Sequence, residues 1–149
     1  MPDTAVRMMR DEDITETLGM IHALAAHHGD VATVTEQELR RDALGNAPWF
    51  RVLVAEQATL VGYAVLCSLT QLQFGVRGMD MHHLFVVPAS RGSGVGRALI
   101  AASLAQAKAE GCRYVTVGTH PQNAAAAQVY RAAGFEDLPP PGPRFRMKW

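Results

Sequence analysis

The chain has 149 residues, 48% of them hydrophobic and 19% charged, which suits one globular domain over residues 1–149 and excludes a disordered chain. Fourteen Lys and Arg balance fourteen Asp and Glu, so the basic surplus that nucleic-acid or acidic-membrane binding needs is missing. No apolar run reaches the ~18 residues of a membrane span, and Met1-Pro2-Asp3-Thr4 has no signal-peptide pattern; a cytoplasmic protein is expected. The two cysteines, Cys67 and Cys112, form neither a CxxC nor a zinc-spaced cluster. Free buried thiols and no metal are expected.

Ala5 to Met9 predicts a first strand. Asp11, Glu12 and Asp13 then favour a helix start. Ile14, Leu18, Ile21 and Ala25 recur on one face of a helix that ends near His27-His28-Gly29. Thr35 followed by Glu38 is a capping-box pattern and opens a second helix to about Leu44. After the breaker cluster Gly45-Asn46-Ala47-Pro48, residues 50–56 and 60–72 predict two strands joined by the short link Gln57-Ala58-Thr59. Residues 74–78 predict a loop and Met79 to Val87 a strand. A long Ala- and Leu-rich helix follows from about Gly94 to Glu110, with Gly111 as its stop. Tyr114 to Gly118 predicts a buried strand and Ala124 to Ala133 a helix closed by Gly134. Residues 135–137 and 145–149 are candidate strands around a Pro-rich turn. This order mixes hairpins with a strand–helix–strand unit and predicts an α/β fold, a mixed sheet with helices on its faces.

The segment Leu84-Phe85-Val86-Val87-Pro88-Ala89-Ser90-Arg91-Gly92-Ser93-Gly94-Val95-Gly96-Arg97 carries the strongest chemical signal. A strand enters a glycine-rich turn and then a helix, which aims several backbone N–H groups and the positive end of a helix dipole at one spot. That spot suits a phosphate or pyrophosphate. A Rossmann loop needs GxGxxG, but the residue after Val95-Gly96 is Arg97, not glycine; it also needs an acidic residue about twenty positions on, where this chain has Val115, Thr116 and Val117, and a P-loop needs Gly-Lys-Ser/Thr. Neither pattern is present.

Arg91-x-x-Gly94-x-Gly96 resembles the coenzyme A pyrophosphate loop of the GNAT family of N-acetyltransferases. Asn123-Ala124-Ala125-Ala126-Ala127-Gln128-Val129-Tyr130-Arg131-Ala132-Ala133-Gly134-Phe135 is similar to the same family's Asn-x-x-Ala-x-x-x-Tyr-x-x-x-Gly-Phe block. Asn123 and Tyr130, seven apart, fall on one face of a helix, where Tyr130 also suits a core position and Asn123 an N-cap. The resemblance implies a mostly antiparallel sheet splayed where the cofactor enters, acetyl-CoA as cosubstrate, and a homodimer. It implies acetyl transfer to a primary amine of a small molecule by direct attack. A protein or peptide acceptor, or a non-catalytic acyl-CoA-binding module, are the alternatives. By the same resemblance, Phe85, Val86 and Val87 pair with the pantetheine arm. The N–H groups of Gly92, Ser93, Gly94, Val95, Gly96 and Arg97 hold the pyrophosphate together with Arg91, Asn123 belongs to the cofactor site, and Tyr130 protonates the departing thiolate.

An ammonium acceptor must lose a proton before it attacks. His82, His83, His120, Glu56 and Asp80 are candidate bases. Strand alternation sends His82 and His83 to opposite faces, and His82 is the expected base. His22, His27 and His28 are expected at the surface. A weaker likeness to spermidine/spermine-type acetyltransferases runs through Leu24-Ala25, Thr35-Glu36-Gln37-Glu38-Leu39 and Trp49 to Glu56. Where that subgroup carries a Glu-Asp pair, this chain has His82-His83, which does not suit a polycationic acceptor.

Overall fold

In the computed structural model, which describes residues 3–149, the chain divides into two units, Met1–Gly118 and Thr119–Trp149. The first holds one five-stranded sheet in sequence order: β1 (Ala5–Met8), β2 (Phe50–Glu56), β3 (Leu60–Gln71), β4 (Val76–Val86) and β5 (Tyr114–Val117). Pairing is antiparallel from β1 to β4. The chain then crosses over through α3 (Val95–Ala109), which makes β4–β5 parallel.

Alternation along the strands divides the core. Tyr63, Val65 and Phe85 pack with Val52, Val54, Met20, Leu24 and Leu39 under α1 (Ile14–His27) and α2 (Glu36–Leu44). Ala64 and Ala55 pack with Val95 and Leu99 of α3 on the other face. The buried stripe of α1 is Ile14, Thr17, Met20 and Leu24, so the expected stripe is rotated: Leu18 and Ile21 are only half-buried at its flank. The capping box forms as expected, with the Glu38 N–H donating to Thr35 Oγ1 at 3.1 Å and the Thr35 N–H to Glu38 Oε1 at 2.9 Å. Ahead of α1, the buried Asp13 accepts two hydrogen bonds from Arg7, at 2.6 and 3.0 Å, and one from the Arg10 N–H at 2.7 Å. Arg7 also reaches Glu56 at 3.2 Å, tying β1, β2 and the start of α1 together.

The expected loop at 74–78 is instead a tight hairpin: a 3-10 turn at Leu72–Phe74, Gly75 at φ +63°, and β4 already paired at Val76. Gly78 reads as a breaker in sequence. In the fold it is a strand residue whose missing side chain leaves room for the Tyr114 ring of β5. Further along β4, Val65 pairs with His83 and Leu66 with Met81, so His82 is an inserted bulge residue. Cys67 and Cys112 are free and half-buried rather than fully buried.

The second unit consists of α4 (Ala124–Ala132) and an extended tail. Gly134 stops the helix at φ +101°. The strands expected at 135–137 and 145–149 do not form: this stretch has no strand. Pro139, Pro140, Pro141 and Pro143 remove backbone donors between them. Phe145, Met147 and Trp149 are exposed.

Candidate active site

Beyond Met81, β4 loses its neighbour. β5 ends at Val117, opposite Met81, so His82 to Val86 continue with no strand on that side, and the sheet is splayed there as expected. The Val87 N–H donates to the Val61 carbonyl at 2.9 Å. Antiparallel alternation then turns the N–H of Phe85 toward β3 as well and leaves those of Leu84 and Val86 on the open edge. Of the expected arm-binding residues, Val86 therefore has its N–H on the open edge, whereas Phe85 and Val87 donate into the sheet. Leu84 presents a second free N–H on the same edge. Sequence alternation gives side-chain faces, but not which N–H groups are already spent.

The strand leads through a 3-10 turn at Pro88–Ser90 into Gly92 at φ +77° and Gly94 at φ +90°. Both are in the left-handed region that favours glycine. Gly94 is the N-cap of α3 and supplies no side-chain cap, so the first N–H groups of the helix, at Val95, Gly96 and Arg97, have no intrahelical partner. A Cβ at Gly92 or Gly94 would meet nothing within 4 Å, and one at Gly96 only Val86 Cγ2 at 3.7 Å. Val95 is buried and fixes the helix start. Ser93 Oγ is spent on the Ser90 carbonyl. Arg91 Nε–H donates to the Val86 carbonyl at 2.9 Å, and its guanidinium lies 5.7 Å from the Phe85 ring centre. Arg97 is exposed. A bare helix end, open space before two glycines and two cations fit a pyrophosphate. The free edge of β4 fits an amide-bearing arm.

The bulge overturns the expected division of the two histidines. Both rings lie on one side and stack, centres 4.6 Å apart and planes 15° from parallel. His82 is exposed and His83 half-buried. His83 Nδ1 lies 3.0 Å from the hydroxyl of Tyr63, a fully buried side chain of β3. Burial raises Tyr63 well above the usual phenol range. His83 is pushed down to about 4, first by burial and then by the charges of His82 and of His28 at the end of α1. Tyr63 was not a sequence candidate, because an apolar strand context reads as core packing. The other candidate bases are engaged: Glu56 by Arg7, Asp80 by the Thr116 hydroxyl at 2.7 Å, and His120 Nδ1 by the Gln122 N–H at 3.1 Å. His22, His27 and His28 are exposed, as expected.

In the second unit, Asn123 Oδ1 caps α4 by accepting the Ala126 N–H at 3.0 Å. Tyr130 is half-buried, with its ring edge-on to Phe135 at 5.8 Å between centres. Burial raises its phenol above the ordinary value.

Residues 10–135 match the acetyltransferase (GNAT) family. The chain is 29% identical over 149 residues to thialysine N-epsilon-acetyltransferase of Mus musculus, covering 93% of this chain and 87% of that one. It is 28% identical over 152 residues to L-methionine sulfoximine/L-methionine sulfone acetyltransferase of Pseudomonas aeruginosa, covering 92% and 86%. Its fold matches an aminoglycoside N-acetyltransferase solved in complex with CoA, with a TM-score of 0.78 and 21% identity over 99% of this chain and 96% of the other. The family match covers most of the length and includes both the glycine loop and the Tyr130 helix: the chain belongs to the GNAT acetyltransferase family and is an N-acetyltransferase.

Proposed function

We propose that this enzyme moves the acetyl group of acetyl-CoA to a primary amine of a small molecule by direct attack. The observation that carries the reading is the open edge of β4 running into the uncapped N-terminus of α3. It provides N–H donors for an amide-bearing arm and then for a pyrophosphate, in chain order. The named substrates of the two relatives, thialysine and L-methionine sulfoximine, support an amino-acid-like acceptor. A homodimer belongs to this reading as an implication of the family, and a cytoplasmic setting is inferred with it.

His82 is exposed at the bulge and accepts the proton of the acceptor ammonium, directly or through a water. The freed nitrogen lone pair attacks the thioester carbonyl carbon. A C–N bond forms, the C–S bond breaks, the acylated nitrogen sheds its surplus proton to solvent, and the thiolate takes the Tyr130 phenol proton, which solvent returns. Burial of Tyr130 keeps that proton in place at neutral pH until the thiolate develops. The glycine loop and the edge N–H groups of Leu84 and Val86 bind and orient.

Thermal unfolding with and without ligand tests the cofactor part. Acetyl-CoA at ~100 times its dissociation constant stabilises by about 2.7 kcal/mol, while NADH and ATP at equal concentration do much less. An unchanged melting temperature at millimolar acetyl-CoA rules the reading out.

A further inference from the structure

The function above uses His82 and leaves its stacked neighbour without a role, although His83 is the more constrained of the two. Tyr63 is fully buried on β3, and His83 Nδ1 is its hydroxyl's hydrogen-bond partner, at 3.0 Å. A hydroxyl that accepted a proton from Nδ1–H would leave its own O–H buried without an acceptor, which costs about 1–3 kcal/mol. The bond therefore runs from Tyr63 O–H to Nδ1. A neutral imidazole that accepts at Nδ1 carries its proton at Nε2. In a five-membered ring that nitrogen faces away from the Tyr63 contact, and it has no protein partner among the described residues.

We propose that Tyr63 is a positioning residue that locks His83 as a neutral Nε2–H donor, so that the two adjacent imidazoles divide the work: His83 donates a hydrogen bond to an oxygen of the acceptor molecule, and His82 takes the proton. The assignment rests on the acetyl-transfer reading for the identity of the site. The groups that face His83 are Tyr63 from β3, His82 beside it on β4 and His28 from the end of α1. None is a carboxylate, so nothing there favours the imidazolium. The candidate carboxylates of β2 and of β4 itself are committed elsewhere, Glu56 to Arg7 and Asp80 to Thr116. A site with a neutral N–H donor and no free carboxylate suits an amine that also bears an oxygen acceptor, such as an α-amino acid. It does not suit a bare polycation.

Glutamine separates the roles. It offers an oxygen to accept from Tyr63 and an N–H to donate outward, but it takes no proton near neutral pH. With L-methionine sulfoximine and thialysine as probe acceptors, His83→Gln lowers kcat/KM by about tenfold and keeps the wild-type pH profile, whereas His82→Gln lowers it by roughly 10²-fold or more and changes that profile. His83→Phe keeps a flat ring but no donor, and raises the acceptor KM about tenfold with unchanged acetyl-CoA affinity. Nitrogen-15 NMR of the imidazoles reads the lock whatever the acceptor is. In the wild type, His83 stays in the Nε2–H tautomer from about pH 5.5 to 8.5; in Tyr63→Phe it becomes a tautomer mixture over that range. A His83 that carries its proton at Nδ1, or that titrates near 6.5 in the wild type, overturns the proposal. So does a His83→Gln that is as impaired as His82→Gln. A wild-type rate in His82→Gln with the His83 tautomer intact defeats only the base assignment and leaves the lock standing.

Discussion

The Arg91 Nε–H donates to the Val86 carbonyl at 2.9 Å, across the turn between the end of β4 and the glycine loop. That carbonyl lies on the strand edge that β5 leaves open. The bond holds the loop against the strand, and the Phe85 ring below the guanidinium fixes its plane. Lysine keeps the charge but loses the planar fork. Arg91→Lys is expected to weaken acetyl-CoA binding about tenfold, or ~1.4 kcal/mol, with little change in melting temperature. Isothermal titration of the two proteins checks this.

Gly94 and Gly96 differ in what they require. Gly94 sits at φ +90°, where an alanine is strained by about 1–2 kcal/mol. Gly96 is helical, and a Cβ there makes an ordinary contact with Val86. Gly96→Ala is therefore expected to leave the ligand-free protein as stable or roughly 0.5 kcal/mol more stable, while Gly94→Ala destabilises it. Gly94→Val and Gly96→Val are both expected to lose CoA binding, because a branched side chain would stand in the space proposed for the phosphates. Melting curves with and without CoA separate the two effects. A folded Gly96→Val that binds CoA like the wild type defeats the loop assignment.

Tyr130→Phe keeps the ring and its edge-on packing on Phe135 and removes the phenol proton. Acetyl-CoA affinity should stay the same. Turnover at saturating acetyl-CoA should fall by ~10²-fold or more, less if water substitutes as donor. Equal turnover, with chemistry shown to limit the rate, returns Tyr130 to a packing role.

Much of the first unit was legible, because its signals are local. The Thr35 capping box, the short β2–β3 link and the glycine loop all mark elements by residue type at fixed spacing. The misreadings share a different cause. Gly78 looks like a breaker until the Tyr114 ring beside it is known, and that contact spans a parallel crossover. The His82 bulge depends on β3 and β4 slipping by one residue between Val65 and Leu66, which no periodicity within β4 encodes. The Tyr63–His83 bond links strands 20 residues apart, and a tyrosine in an apolar run gives no sign of its partner. The alternation of Phe145, Met147 and Trp149 is a strand pattern, yet a strand needs a neighbour that the pattern does not specify.

Stability should depend on Asp13 in acid. The two Arg7 hydrogen bonds hold this carboxyl below its ordinary value of 3.8, against the cost of burial and with help from the Arg10 N–H. A depressed folded value adds stability that is present above the unfolded value and lost as the pH falls through the folded one. Wild type should therefore lose stability as the pH drops below about 3.8. Asp13→Asn should be about 2 kcal/mol less stable at pH 7 and show a shallower acid slope. Urea unfolding of both proteins at pH 7 and at acid pH measures the difference.

The central claim is that an acetyl group leaves acetyl-CoA for the nitrogen of a small amine. The direct measurement supplies carbon-13 acetyl-CoA with L-methionine sulfoximine, thialysine and a panel of simple primary amines, and follows CoA thiol release together with labelled product by mass spectrometry. The account predicts an N-acetylated product formed one-for-one with CoA, saturable in the amine and slowed in both His82→Gln and Tyr130→Phe. Tight acetyl-CoA binding with no labelled amine across the panel, or label appearing only on peptide acceptors supplied alongside, would contradict it.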